Sequence, residues 1–299
     1  MSGPLSTGKQ SSNVPFDISN GSESVPVLCN DPEAAKTFTY AAACPELDIR
    51  AVYALGSHEI CGCSCANGCS EAHDCPCKLL LPGTTINMRE CGSACACSVN
   101  RCCRNSPVFK GRTCRLAIQH SGAKGLGKRF HFTFETFRAR HTSHAGVFAL
   151  ENIENGKFVC EYAGQRIKIE DALSRTTSKG GECTGAGCFQ SRHNYILIFK
   201  EHFADGRSIC TCLDPTHVGN VGRFINHSCG PNLDTYAIRV GDNPHPRVAF
   251  FAARDIHVGE ELTFSYHESS FLQDEKHDRK PCFCGHVDCQ KWYDRHHEF

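Results

Sequence analysis

The chain has 299 residues, 40% of them hydrophobic and 21% charged, which fits a folded protein and excludes a disordered polymer. Its 32 basic residues balance 32 acidic ones, so no net positive field marks a protein that wraps DNA through its phosphates. No apolar run is long enough for a membrane span, and Met1–Asn20 holds neither an apolar core nor a basic leader, which predicts a chain that is not exported. That expectation governs the 23 cysteines: away from an oxidising compartment, clustered thiols read as metal ligands and not as a disulfide framework.

In chain order, Met1 to about Val25 is rich in Ser, Gly and Asn with few large apolar side chains, which predicts disorder; the N-terminal segment is drawn as 1–40. From Cys61 to Cys103 the sequence is mostly Cys, Gly, Ser and Asn, too poor in apolar periodicity to build an oily core. It runs Cys61-Gly-Cys63, Cys69, Cys75-Pro-Cys77, then Cys91, Cys95-Ala-Cys97 and the adjacent Cys102 and Cys103. Each Cys-x-Cys lets one tight turn offer two sulfurs to a tetrahedral zinc. Three zincs need twelve sulfur positions, which nine thiolates supply when three of them bridge two metals. Two separate mononuclear sites or a metal store are the simpler alternatives, and the β-rich region that follows argues against storage.

That region carries short β-prone runs at Phe130–Phe137, Lys157–Tyr162, Asn194–Phe199, Arg247–Phe251 and Glu261–Tyr266. Turn signals separate them at Asn155-Gly156, Asp205-Gly206, Gly230-Pro231 and Val258-Gly259. A short helix can start at Glu170–Ser174, and Ser178–Gly187, rich in Gly, reads as an insertion. Many short strands with few helices predict a mainly β fold. Near the C-terminus, Cys282-Phe-Cys284 and Cys289 offer three sulfurs, one short of a zinc site.

The run Gly222-Arg223-Phe224-Ile225-Asn226-His227-Ser228-Cys229-Gly230-Pro231-Asn232 is the most specific signal in the chain. It resembles the Arg-Phe-x-Asn-His-Ser-Cys-x-Pro-Asn signature of SET domains. Gly259-Glu260-Glu261-Leu262-Thr263-Phe264-Ser265-Tyr266 resembles the second signature, and Phe158-Val159-Cys160-Glu161-Tyr162-Ala163-Gly164 the early strand. From Cys61 to Trp292 the chain is similar to the pre-SET/SET/post-SET histone-lysine methyltransferases, a group that includes the heterochromatin H3 enzymes and SETMAR-type enzymes.

The resemblance implies a SET-domain β-fold with knot-like threading, flanked by a zinc-cluster pre-SET region at 41–128 and a post-SET lid at 269–299, with the catalytic domain at 129–268. It implies three zincs on Cys61, Cys63, Cys69, Cys75, Cys77, Cys91, Cys95, Cys97 and Cys103, with Cys102 an alternative to Cys103 and Cys65 surplus. A fourth zinc would sit on Cys229, Cys282, Cys284 and Cys289. S-adenosylmethionine would be held by Ser143, His144, Ala145, Tyr195, Arg223, Asn226, His227 and Trp292. Tyr266 and Tyr195 would be the catalytic tyrosines, and Phe264, lacking a hydroxyl, would permit methylation beyond one methyl. The implied substrate is a histone H3 tail in nuclear chromatin, its ninth-position lysine first and its thirty-sixth next. A silent zinc-stabilised chromatin scaffold and a methyltransferase for another lysine stay open. Where the family has Gly-x-Gly this chain has His144-Ala145-Gly146, and Gln165 and Ser265 replace a usual Glu and Asp.

Overall fold

The computed structural model describes residues 14–45, 62–65, 69, 75, 77, 79–80, 87–99, 103, 105–120, 145–177, 195–202, 208–241, 243, 245–266 and 279–294. The run Phe130–Phe137 and the insertion Ser178–Gly187 lie outside them. Among the described residues the fold is mainly β, in three larger sheets and one hairpin.

The first sheet joins six strands in the order Phe16–Asp17, Val27–Cys29, Leu116–His120, Ala145–Ala149, Glu261–Phe264 and Asn226–His227. The second pairs Leu197–His202 with the long Ser208–Gly219 strand, which also takes Thr39–Tyr40 and Gly164–Ile167. The third runs Leu79–Leu80, Asn87–Glu90, Leu233–Val240, Arg247–Ala252 and Phe158–Glu161. The expected strands beginning near Lys157, Asn194, Arg247 and Glu261 form with shifted ends, and the helix runs Ile169–Thr177. Gly156 and Gly259 take φ values of 76° and 88°, the left-handed backbone that their turns require. The main core gathers Leu116, Ile118, Val147, Val248, Phe250, Ile256 and Leu262, all fully buried, and each such side chain contributes about 1.5–3 kcal/mol.

The expected disorder of 1–40 is overturned for residues 14–40. Asp17 accepts hydrogen bonds from the amides of Ser19, Gly21 and Val27 and from the Ser19 hydroxyl, closing a turn through Asn20 and Gly21 at positive φ. Burial opposes ionisation of Asp17, but these bonds outweigh it and hold the carboxyl below its ordinary range. The hairpin then lays Val27–Cys29 parallel to Leu116–His120, burying Ile18, Val27 and Cys29. Composition misleads here because Ile18, Val27 and Cys29, though few, all enter the core.

The cysteine-rich region docks on the third sheet at one close backbone contact. Asn87–Glu90 pairs in parallel with Leu233–Val240, and the Gly241 amide donates to the Glu90 carbonyl at 2.9 Å. The Glu90 carboxylate accepts from the amides of Val108 and Phe109, capping the short helix Pro107–Lys110. Burial pushes this carboxyl up to about 7 against those two bonds. Beside it, a Cβ on Gly92 would stand 2.7 Å from the Gly241 Cα, and Gly241 itself sits at φ 64°. Gly92→Ala is therefore expected to destabilise the chain by about 1–3 kcal/mol as the two backbones part. A denaturation midpoint equal to wild type would contradict that junction.

Candidate active site and thiolate clusters

The Ser208–Gly219 strand ends in Asn220, whose buried side chain organises the next turn. Its Oδ1 accepts from the amides of Gly222 and Ala163, and its Nδ2 donates to the carbonyls of Glu161 and Ala42. The Val221–Phe224 turn delivers Arg223, and the chain re-extends as Asn226–His227. This short strand pairs in parallel with Thr263 and Phe264, setting the two signature segments side by side. Asn232 clamps them: its Nδ2 donates to the Glu261 carbonyl and its Oδ1 accepts from the Thr263 amide, each at 2.9 Å.

Asn226 donates from Nδ2 to Glu261 Oε1 at 2.8 Å and to the Ala145 carbonyl at 3.2 Å. Burial raises the Glu261 carboxyl above its ordinary value, and the bond from Asn226 opposes that rise. A Cβ on Gly146 would lie 2.5 Å from Glu261 Oε1 and 3.2 Å from Asn226 Nδ2. A side chain at Gly146 would thus push on the bond between Asn226 and Glu261. Ser143 and His144 lie outside the described residues.

His227 accepts the Tyr266 amide on Nδ1 at 3.0 Å, so in the neutral ring the hydrogen sits on Nε2, which faces Cys229 Sγ at 3.4 Å. The Tyr266 hydroxyl donates to the Ile225 carbonyl at 2.9 Å. Its ring lies 4.8 Å from that of Phe264, which in turn lies 4.7 Å from Phe250 and 6.4 Å from Tyr162. Tyr162, given no role from sequence, donates its hydroxyl to the Tyr195 carbonyl. Burial raises its pKa far above the ordinary phenol value, so it stays a protonated donor. Its position in the early-strand motif was the available signal.

Arg223 is 7% exposed, with its guanidinium carbon 4.1 Å from the centre of the Phe38 ring and 4.3 Å from that of Tyr195. Its Nε and Nη1 are buried and make no hydrogen bond among the described residues. Such orphaned donors suit a ligand that carries oxygen acceptors, as the carboxylate and ribose of S-adenosylmethionine do. Tyr266, Tyr195, Arg223, Asn226, His227, Phe264 and Ala145 thus fall in one region. Trp292 is placed differently from the expectation: it is 51% exposed on the Arg279–Pro281/Trp292–Asp294 hairpin, outside the buried aromatic group.

The described cysteines are all free thiols, and two groups of them converge. In the first, five of the six sulfur separations among Cys63, Cys69, Cys91 and Cys97 fall between 3.2 and 4.0 Å, and all lie within 4.8 Å. A zinc tetrahedron with 2.3 Å bonds has edges of about 3.8 Å, so the sulfurs fit that metal. Cys63, Cys75, Cys77 and Cys91 form a second tetrad, and Cys77 lies 3.7 Å from Cys95. Cys103 is buried in contact with Cys91 and Cys97. Cys65, surplus by spacing, instead completes a third tetrad with Cys63, Cys69 and Cys75, because the Cys63-Ser-Cys65 turn brings both sulfurs to the cluster. Cys61 and Cys102 lie outside the described residues. Asn105 seals the edge, donating to the carbonyls of Cys77 and Arg89. Burial opposes ionisation of Cys63, but hydrogen bonds from the Cys65 amide and from Cys69 and Cys97 draw it down to about 6.

In the second group the sulfurs of Cys229, Cys282, Cys284 and Cys289 all lie within 4.8 Å of one another. Backbone amides of Cys229, Gln290 and Lys291 point at sulfurs of Cys284, Cys229 and Cys289, the donor pattern that a thiolate site uses. A Cβ on Gly230 would fall 2.1 Å from the His286 ring, so the lid rests directly on the Gly230 backbone.

A family model described as SET domain matches residues 144–267. The chain is 34% identical over 244 residues to the probable histone-lysine N-methyltransferase set-23 of Caenorhabditis briggsae, covering 77% of this chain and 86% of that protein. It is 36% identical over 211 residues to mouse histone-lysine N-methyltransferase SETMAR, covering 67% of this chain and 58% of that one. The crystal structure of the methyltransferase domain of human SETMAR superposes with a TM-score of 0.64 at 29% identity, over 92% of this chain and 96% of that domain. KRYPTONITE in complex with mCHH DNA, H3(1-15) peptide and SAH shares the fold, with a TM-score of 0.62 at 23% identity over 97% of this chain and 56% of that one. With two signature segments hydrogen-bonded side by side, thiolate clusters on both flanks and a relative matched along most of its length, the chain belongs to the SET-domain family of histone-lysine N-methyltransferases.

Proposed function

We propose that this chain transfers methyl groups from S-adenosylmethionine to a histone lysine, with the ninth-position lysine of the H3 tail first and the thirty-sixth next, in nuclear chromatin. The observation that carries the reading is the convergence of Asn226, His227 and Tyr266 on the Phe264 and Tyr162 side chains, with Tyr162 bonded to Tyr195, on whose ring Arg223 stacks. KRYPTONITE, a fold relative, binds SAH and an H3 peptide, which supports both cofactor and substrate class. The functional division is a zinc-cluster region at 41–128, a catalytic domain at 129–268 and a lid at 269–299.

S-adenosylmethionine, when bound, supplies a methyl on a sulfonium that an amine can displace in line. Asn226, His227, Arg223, Tyr195 and Ala145 would hold it, with Ser143 and His144 as further members of the pocket. The protein's own task is to align a neutral lysine and keep water out. A lysine amine titrates near 10.4 in water, so its proton must leave before attack. The Tyr266 hydroxyl, held by the Ile225 carbonyl, is the group placed to orient that amine. Tyr162 and Tyr195 line the same wall, and buried Phe264 presents no hydroxyl to hold a water beside the amine, leaving room for a second and third methyl. Zinc would close both flanks, three ions on Cys61, Cys63, Cys69, Cys75, Cys77, Cys91, Cys95, Cys97 and Cys103, and one on Cys229, Cys282, Cys284 and Cys289. Cys65, whose sulfur falls in one of the tetrads, is the neighbouring alternative to Cys61.

Native mass spectrometry of purified protein should find about four zincs per chain. Cys61→Ser should lower that count by at least about one, while Cys65→Ser should keep it; the reverse order would move the cluster to the Cys65 register. Incubation with labelled S-adenosylmethionine and histones should give labelled H3. Tyr266→Phe should slow transfer about a hundredfold or more while the zinc count holds. Phe264→Tyr should stop the product at one methyl, read by peptide mass. Failure of wild type to label any histone would leave the silent scaffold as the better account.

A further inference from the structure

Phe38 lies in the segment that composition marks as disordered, far in sequence from both signatures. Its ring nevertheless packs on Arg223, with the guanidinium carbon 4.1 Å from its centre, and meets Phe224 edge-on at 5.7 Å. Several bonds fix it there. Thr39–Tyr40 pairs in parallel with Val218 and Gly219, and the Ala41 amide donates to the Gly219 carbonyl at 2.7 Å. The Tyr40 hydroxyl accepts the Val221 amide and binds Glu23, which forms a buried ion pair with Arg112 at 2.8 Å. Phe38 is thus anchored, through Thr39–Ala41, to Gly219 and to Val221, where the turn that delivers Arg223 begins.

The energetics of Arg223 give this contact a purpose. A buried guanidinium with two unbonded donors is costly unless something offsets its lost hydration. The aromatic faces of Phe38 and Tyr195 do so through their ring quadrupoles, and a flat guanidinium suits stacking in a way an ammonium does not. Stacking leaves Nε and Nη1 free to meet an oxygen acceptor. We infer that Phe38 is a positioning residue of the cofactor pocket: its ring holds Arg223 with its open donors turned to the ligand, so the N-terminal segment is part of the binding site. This inference rests on the methyltransferase reading and extends the pocket beyond residues 144–267.

The test is calorimetric titration of S-adenosylhomocysteine into the zinc-loaded full chain. Phe38→Leu, which keeps apolar bulk without a π face, should weaken binding about five- to tenfold. Phe38→Tyr, which restores the face, should bind within about twofold of wild type. The KM for an H3 tail peptide and the zinc count should be unchanged in both. Should Phe38→Leu fail to fold, Phe38→Met provides a second ringless side chain. Leu or Met variants that bind like wild type, or a Tyr variant as weak as Leu, would overturn the role of Phe38 alone. A wild-type chain that binds no S-adenosylhomocysteine would sink the methyltransferase reading and this inference with it.

Discussion

The site rests on one buried amide. Asn232 spends both ends of its side chain on the backbone of the Glu261–Phe264 strand, joining the second signature to the tail of the first. That bridge fixes the register in which Asn226 and His227 lie beside Thr263 and Phe264. From the register follow the bond between Asn226 and Glu261, the bond between His227 and the Tyr266 amide, and the aromatic stack behind Tyr266. Removing the amide would strand a buried donor and a buried acceptor, at a cost of about 1–3 kcal/mol each. A slip of one residue would turn every side chain of the strand to its other face.

Two kinds of interior support this arrangement. The catalytic half has an ordinary core of branched and aromatic side chains. The cysteine-rich half has sulfurs where a core would be, a cluster made almost wholly of buried cysteines. Glu90, Gly92 and Asn105 form the seam between them through a helix cap, a backbone contact and a cluster edge. These residues have no chemistry to perform, yet they transmit the rigidity of one half to the other.

Much of this was legible in the order of residues. The signatures gave the family, and β-prone runs near Lys157, Arg247 and Glu261 gave strands: the first two are buried on both faces, and the third alternates buried with half-buried residues. The long Ser208–Gly219 strand was missed, since Asp214-Pro215 interrupts its pattern and two of its three partner strands come from distant parts of the chain. The closeness of Cys65 to Cys63, Cys69 and Cys75 was not legible, because two overlapping Cys-x-Cys pairs share Cys63 and spacing alone does not say where the Cys65 sulfur points. The N-terminal hairpin escaped for a different reason: its stability comes from one aspartate and a buried ion pair, which no compositional average registers.

The imidazole of His227 has a consequence of its own. One nitrogen holds the backbone of Tyr266 and the other faces the sulfur of Cys229, a member of the lid's thiolate group. A ring pinned at two edges cannot follow one neighbour without deserting the other. The five-membered ring is thus the linchpin between the backbone of Tyr266 and the sulfurs that gather the tail.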